Sequence, residues 1–266
     1  MHTYPYKIKG KKFTTANLVI DADVEKSLSN GSWETAELQL CDKYIKQDDT
    51  VLELGGCLGV VSVVVNNMLN NPKNHVVVEA NPKAAKILSL NKEKNDCHFH
   101  IENCMVFRDH SGKFYPASGS PQSGSTFIHN DGAIKYVEQP EVSSMPVPVP
   151  DPNQFDFDFI HLSTTTIEDL EQKYGIKFNV LIVDIEGGEF QFIKENLEIL
   201  KRIDIMIIEF HQRFDLPECN EETYKEARGL LESVGLIELN NIIRIHTPVG
   251  HKSKNRETAT EAWGRP

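Results

Sequence analysis

Twice along this chain, short β-rich apolar runs alternate with stretches of helical spacing, and that alternation limits the fold more than any other feature. Between positions 50 and 107 the runs are Val51–Leu54, 76–78 and 99–101, each bounded by Gly, Asn, Pro or Asp. After Asn81-Pro82, Ala84, Ile87, Leu88 and Leu90 return to helical spacing. The text resumes at Thr166, a helix cap followed by the acidic first turn Glu168-Asp169. Val180–Val183 is then an apolar strand ending at Asp184, Phe190, Ile193, Leu197 and Leu200 are spaced as a helix, and 205–208 is a buried strand ending at Glu209. Parallel strands need long crossovers, so this pattern predicts one α/β domain with a mostly parallel sheet.

The flanks read differently. In 1–49, Trp33, Ala36, Leu40 and Ile45 have helical spacing, which predicts a helical segment packed on the core. Residues 109–158 hold scattered glycines, many serines and the run Met145-Pro146-Val147-Pro148-Val149-Pro150, which cannot be a central strand. They are expected to form an extended insertion in the main domain 50–247, either a loose loop or a lid over a pocket. Positions 224–234 read as a helix stopped by Gly235, and 236–239 with 242–245 as an antiparallel pair turning at Asn240-Asn241. The polar residues 248–266 are expected to fray.

With 28 Lys and Arg against 39 Asp and Glu, the formal charge is −11, which opposes phosphate backbones and anionic lipid. Nucleic acid and membrane are therefore not expected as partners; a small molecule is. The start is basic and polar without an apolar core, unlike a secretory signal. Five cysteines, with no CxxC pair, suit a reducing, cytoplasmic setting.

Val51-Leu52-Glu53-Leu54-Gly55-Gly56-Cys57-Leu58-Gly59 places glycines at a strand-to-helix turn, where a ligand can approach backbone amides closely. Run 76–78 then ends in Glu79, an acid spaced to accept hydrogen bonds from ribose hydroxyls. The glycines do not fit the dinucleotide pattern G-x-G-x-x-G, which argues against a nicotinamide-dependent oxidoreductase. Farther on, Asp184-Ile185-Glu186-Gly187-Gly188-Glu189 delivers three carboxylates to the exit of a buried strand, where open α/β sheets bind ligands. Acids so close need a cation, a helix terminus or a donor-rich substrate to offset their repulsion.

Glu53-x-Gly55-x-x-x-Gly59 resembles motif I of the Rossmann-like class I methyltransferases, which bind S-adenosylmethionine; Cys57 stands where that pattern usually has a glycine. The D-x-E-G-x-E element resembles the FkbM-type methyltransferases, as do Val78-Glu79-Ala80-Asn81-Pro82, Ile101-Glu102-Asn103, Thr166-Ile167-Glu168-Asp169-Leu170 and Met206-Ile207-Ile208-Glu209. The resemblance implies a class I methyltransferase fold, with a mostly parallel seven-stranded sheet, helices on both faces and a closing antiparallel strand pair. It implies methylation of a hydroxyl on a sugar, glycan or other small molecule, with S-adenosylmethionine as cofactor. Carried over by motif, Glu53, Gly55, Gly56 and Gly59 would line the methionine end of that cofactor. Glu79 would hold the ribose between Ala80 and Asn81, and Asn103 would lie near the adenine. Trp33-Glu34 resembles an aromatic–acid pair of the family, which would bring the N-terminal segment beside the pocket.

Methyl transfer to a hydroxyl requires the acceptor oxygen in line with the methyl group and a group to take its proton. Asp184, Glu186 and His211 are the candidates. His211 follows Glu209 by two positions and so projects to the same side of the strand exit. A divalent metal on these three residues is chemically reasonable, although their spacing does not demand it. The alternative is a methyltransferase-like binding module without activity, suggested by Cys57 in the glycine turn.

Overall fold

The computed structural model describes residues 3–16, 20, 22–108, 113–115, 126–128, 160–161, 163–212, 220–246 and 256–266. A hairpin of β1 (Tyr6–Ile8) and β2 (Lys11–Phe13) precedes α1 (Ala22–Asn30) and α2 (Thr35–Tyr44). The first alternating half is β3 (Val51–Leu54), α3 (Val60–Asn66), β4 (His75–Val78), α4 (Pro82–Lys94) and β5 (His100–Glu102). Five short strands follow: β6 (Met105–Val106), β7 (Lys113–Tyr115), β8 (Thr126–Ile128), β9 (Ile160–His161) and β10 (Thr164–Thr165). The second half is α5 (Ile167–Tyr174), β11 (Val180–Val183), α6 (Glu189–Glu195), α7 (Leu197–Leu200), β12 (Ile205–Gln212), α8 (Glu221–Ser233), β13 (Ile237–His246) and β14 (Arg256–Gly264).

Seven strands form the main sheet in the order β13-β14-β12-β11-β3-β4-β5. From β12 to β5 all pairings are parallel, whereas β14 is antiparallel to both β12 and β13. The expected mostly parallel sheet with a closing antiparallel pair is therefore present. Chain order reverses between β3 and β11, which makes their carboxyl ends the natural crevice of the fold.

Side chains alternate strictly across this sheet. Val51, Val77, Val180, Ile182 and Ile207 pack into one core with α2, α3 and α4. Leu52, Val76, Leu181, Val183, Met206 and Ile208 pack into the other with α5, α6, α7 and α8. Burial on both faces explains why the strands read as unbroken apolar runs. Continuing the alternation puts positions 53, 79, 184, 209 and 211 on the first face, beneath α2 and α3.

Three expectations are corrected. The tail expected to fray instead inserts as β14, with Ala259, Ala262 and Trp263 buried. Its polarity is satisfied internally: Glu261, with no exposed surface, accepts from Arg228 at 2.5 Å, Trp263 Nε1 at 2.7 Å and Asn241 at 2.9 Å. The hairpin expected at Asn240-Asn241 is instead one continuous strand, because β14 supplies the partner and a bulge between Glu238 and Asn240 absorbs the register. The N-terminal segment is not only helical, since Tyr6, Ile8 and Phe13 of the hairpin are buried in the first core. Apart from β7 and β8, the 109–158 insertion with its Pro-rich run lies outside the described residues.

Candidate active site

The turn after β3 needs its glycines for packing. Gly55 has φ +90°, and a Cβ there would lie 1.7 Å from the Asp184 carbonyl oxygen. A Cβ on Gly56 would meet Val77 at 2.4 Å, and one on Gly59, at φ +81°, would meet Leu88 at 2.5 Å. The three positions thus bring β3, β4, α4 and the β11 exit into contact, and neighbouring protein atoms fill the space a side chain would take. Cys57, at φ +45°, holds the left-handed backbone that a glycine would adopt more readily. Its amide donates to Glu79 Oε2 at 2.7 Å.

Glu79 is buried just past β4, and its other oxygen accepts from the Asn81 amide at 2.6 Å. Burial raises its pKa to about 7 against the lowering effect of those two amides. Asn103 Nδ2 donates to the carbonyls of Glu79 at 2.7 Å and Ala80 at 3.0 Å, pinning that turn. Asn81 caps α4, its Oδ1 accepting from the Lys83 amide at 2.9 Å. Asn81 and Asn103 therefore shape the turn that presents Glu79, with Ala80 partly exposed between them.

Glu53 sits apart from this turn. It is buried, accepting from Ser62 Oγ at 2.7 Å and lying 3.1 Å from His75 Nε2, so its carboxylate is occupied under α3. Glu34 does approach the crevice: it stands at φ +54° ahead of α2, and its Oε2 accepts from the Val61 amide of α3 at 3.2 Å. Burial, then Glu37 and Glu53, push its carboxyl well above the ordinary glutamate range.

The second group forms where β11 and β12 end. Glu186 at φ +54° and Gly187 at φ +106° make the tight turn into α6. Glu189 points back under that turn, accepting from the amides of Ile185 at 3.1 Å and Gly187 at 3.0 Å. Its Oε1 also lies 3.0 Å from His211 Nδ1. Burial alone would raise the Glu189 pKa, but His211 and the Gly187 amide hold it below the usual value. The other imidazole nitrogen, Nε2, lies 3.5 Å from Glu186, 3.6 Å from Asp184 and 3.9 Å from Glu209. Burial would depress the His211 pKa, yet Glu186, Glu189 and Glu209 outweigh it and lift the pKa well above the ordinary histidine value. Burial pushes the Asp184 and Glu209 carboxyls well up, opposed in both by His211.

Asp184, Glu186 and His211 thus converge, and Gly55 brings the first turn against Asp184. Sequence reasoning missed Glu37 on α2, which is 2% exposed, accepts from Thr260 at 3.1 Å and bonds Glu209. Its signal was its place in the first turn of α2, three positions after the capping Glu34.

A family model described as the methyltransferase FkbM domain matches residues 53–236. The chain belongs to the FkbM methyltransferase family. Its members' chemistry makes this protein a methyltransferase, and the motifs that resemble the family, from Glu53 to Glu209, fall within the matched region. Among solved structures, the chain is similar to the precorrin-6y C5,15-methyltransferase of Geobacter metallireducens, at 11% identity over 96% of this chain and 93% of that one, with a TM-score of 0.48. It is also similar to Trm5b of Pyrococcus abyssi, at 9% identity and a TM-score of 0.51, covering 100% of this chain and 56% of that one. At these identities the second likeness speaks to the fold alone. No curated protein matches the chain by sequence. Among the described residues, no helix is long and apolar enough to cross a membrane.

Proposed function

We propose that this FkbM-family protein transfers the methyl group of S-adenosylmethionine to a hydroxyl of a sugar, glycan or other small molecule. The observation that carries the reading is His211: a buried imidazole oriented by Glu189, with Nε2 facing the crevice on the sheet face that also presents Glu79.

The residues present fit the cofactor. Glu79 offers two carboxylate oxygens, held among the described residues by the Cys57 and Asn81 amides, with lone pairs left for ribose hydroxyls. Glu34, Asp184 and Glu209 place three carboxyls at the crevice; burial above all raises their pKa values, and a cationic sulfonium would favour their ionised forms. When bound, the cofactor supplies an electrophilic methyl group. Asp184 and Glu186 accept hydrogen bonds from the acceptor and set its oxygen in line, and His211 Nε2 takes the hydroxyl proton. Glu189 accepts from Nδ1, which leaves the Nε2 lone pair facing the acceptor once the imidazole is neutral. Gly55, Gly56 and Gly59 act indirectly, by closing the turn that carries Cys57 against Glu79.

The turn closes with Cys57 in place, so this departure from the glycine pattern does not argue for the inactive binding module. Calorimetry with S-adenosylhomocysteine tests the cofactor half of the reading. One equivalent should bind, and Glu79→Ala should weaken it at least tenfold, because charged hydrogen bonds contribute about 1.5–3 kcal/mol each. Unchanged affinity would remove Glu79 from the site.

A further inference from the structure

Three donor atoms at the β11 and β12 exits converge without bonding one another. Nε2 of His211 lies 3.5 Å from Glu186 Oε2 and 3.6 Å from Asp184 Oδ1, and the three residues' ligand atoms all fall within 4.8 Å. Nitrogen–oxygen hydrogen bonds close at about 2.7–3.2 Å, so these contacts are too long for direct pairing. Two donors about 2.1 Å from a shared ion lie roughly 3.0–3.5 Å apart, for right-angled to tetrahedral geometry. The two distances from Nε2 lie at and just beyond the upper end of that range, close enough for a small closing movement to bring the donors onto a cation.

Two further observations point the same way. The imidazole is only 8% exposed, and its bond to Glu189 uses Nδ1, which leaves Nε2 facing carboxylates at 3.5 Å and beyond. Asp184 Oδ1 is a buried oxygen with no hydrogen-bond partner. Leaving such groups unpaired is costly unless something enters between them. The remaining imidazole nitrogen is already tied to a buried carboxylate, Glu189, which itself accepts from two backbone amides. That is the arrangement by which proteins fix a metal-binding histidine in one tautomer.

We propose that Asp184, Glu186 and His211 Nε2 form a binding site for one divalent first-row cation, with Glu189 as the positioning residue. One imidazole and two carboxylates suit Mn²⁺, Fe²⁺ or Zn²⁺ better than the all-oxygen sets of Ca²⁺ and Mg²⁺. Three protein ligands leave coordination positions open, and an acceptor hydroxyl oxygen would fill one. That use rests on the methyl-transfer reading; the site itself does not. With an ion bound, His211 would be a ligand and the ion would lower the acceptor hydroxyl's pKa in its place, so the proton transfer to Nε2 described above belongs to the ion-free site.

Tag-free protein stripped with chelator is titrated with Mn²⁺, with free ion followed by electron paramagnetic resonance. One ion per chain should bind, and His211→Ala and Glu186→Gln should each weaken binding at least tenfold. Glu189→Gln should weaken it 10–100-fold with the circular dichroism spectrum unchanged. Glu186 lies at the rim, with 32% of its side chain exposed, so its variant tests the site even where His211→Ala fails to fold. No Mn²⁺ binding by the parent protein, or equal binding by Glu186→Gln, would overturn the site. The same stripped protein is titrated with S-adenosylhomocysteine: binding there with no Mn²⁺ uptake removes the cation site and leaves the methyl-transfer reading. Mn²⁺ uptake without S-adenosylhomocysteine binding does the reverse.

Discussion

Nδ1 of His211 lies 3.0 Å from Oε1 of Glu189, a carboxylate with no exposed surface. Glu189 also accepts from the Ile185 and Gly187 amides, so it is an acceptor only and the shared proton sits on Nδ1. Glu189→Gln keeps the size of the side chain but offers an amide that can turn a donor toward the ring, so the tautomer is no longer fixed. Turnover should fall about 10–100-fold while S-adenosylhomocysteine affinity is unchanged. A loss of cofactor affinity with turnover preserved would mean that Glu189 serves the fold and not the imidazole.

Gly55 is predicted to be a folding position first. Any Cβ there collides with the Asp184 carbonyl, and φ +90° is strained for every other residue. Gly55→Ala should therefore lose more than about 2 kcal/mol, seen as a Tm lower by several degrees even without ligand. A branched side chain would do worse. An unchanged Tm would show that the turn can move away from β11.

Cys57→Gly should be tolerated. The left-handed backbone at φ +45° favours glycine by about 1 kcal/mol, partly offset by the greater freedom of glycine in the unfolded chain. Stability within about 1 kcal/mol of the parent protein and equal S-adenosylhomocysteine affinity are expected. A large loss of affinity would give the Cys57 side chain a role that the geometry does not assign.

Glu79 carries a pH signature. Its pKa in the folded chain is raised from 4.5 to about 7, so its contribution to stability is fully present below about 4.5 and is lost as pH rises through about 7. The parent protein without ligand should lose stability relative to Glu79→Gln between pH 5 and 8, by on the order of 3 kcal/mol at most, seen as a falling Tm. Parallel melting curves across that range would contradict the raised pKa. S-adenosylhomocysteine affinity should rise over the same interval, because the ionised carboxylate is the better acceptor for ribose hydroxyls.

The parallel strands were legible because each is buried on both faces: Val180–Val183 has no polar position to confuse its reading. The acids at the strand exits were legible for the same reason, as Asp184 and Glu209 interrupt such runs. β14 was hidden because Thr258, Thr260 and Glu261 look like solvent-facing residues, and partners such as Glu37 for Thr260 and Arg228, Asn241 and Trp263 for Glu261 make burial tolerable. Glu53 looked like a cofactor contact by motif, yet its face of β3 is covered by Ser62 and His75. The glycine turn was recognised as a loop under constraint, but what constrains it, the Asp184 backbone at the exit of β11, is far off in sequence and appears only in three dimensions.

The most direct measurement follows tritiated methyl from S-adenosylmethionine onto a panel of sugar and glycan hydroxyls, using the parent protein, Asp184→Asn and Glu186→Gln. Both variants keep side-chain size, so S-adenosylhomocysteine binding should persist while turnover on the accepted hydroxyl falls by about 10²–10⁴-fold. Label transferred to no hydroxyl in the panel, or turnover near that of the parent protein in both variants, would contradict the account.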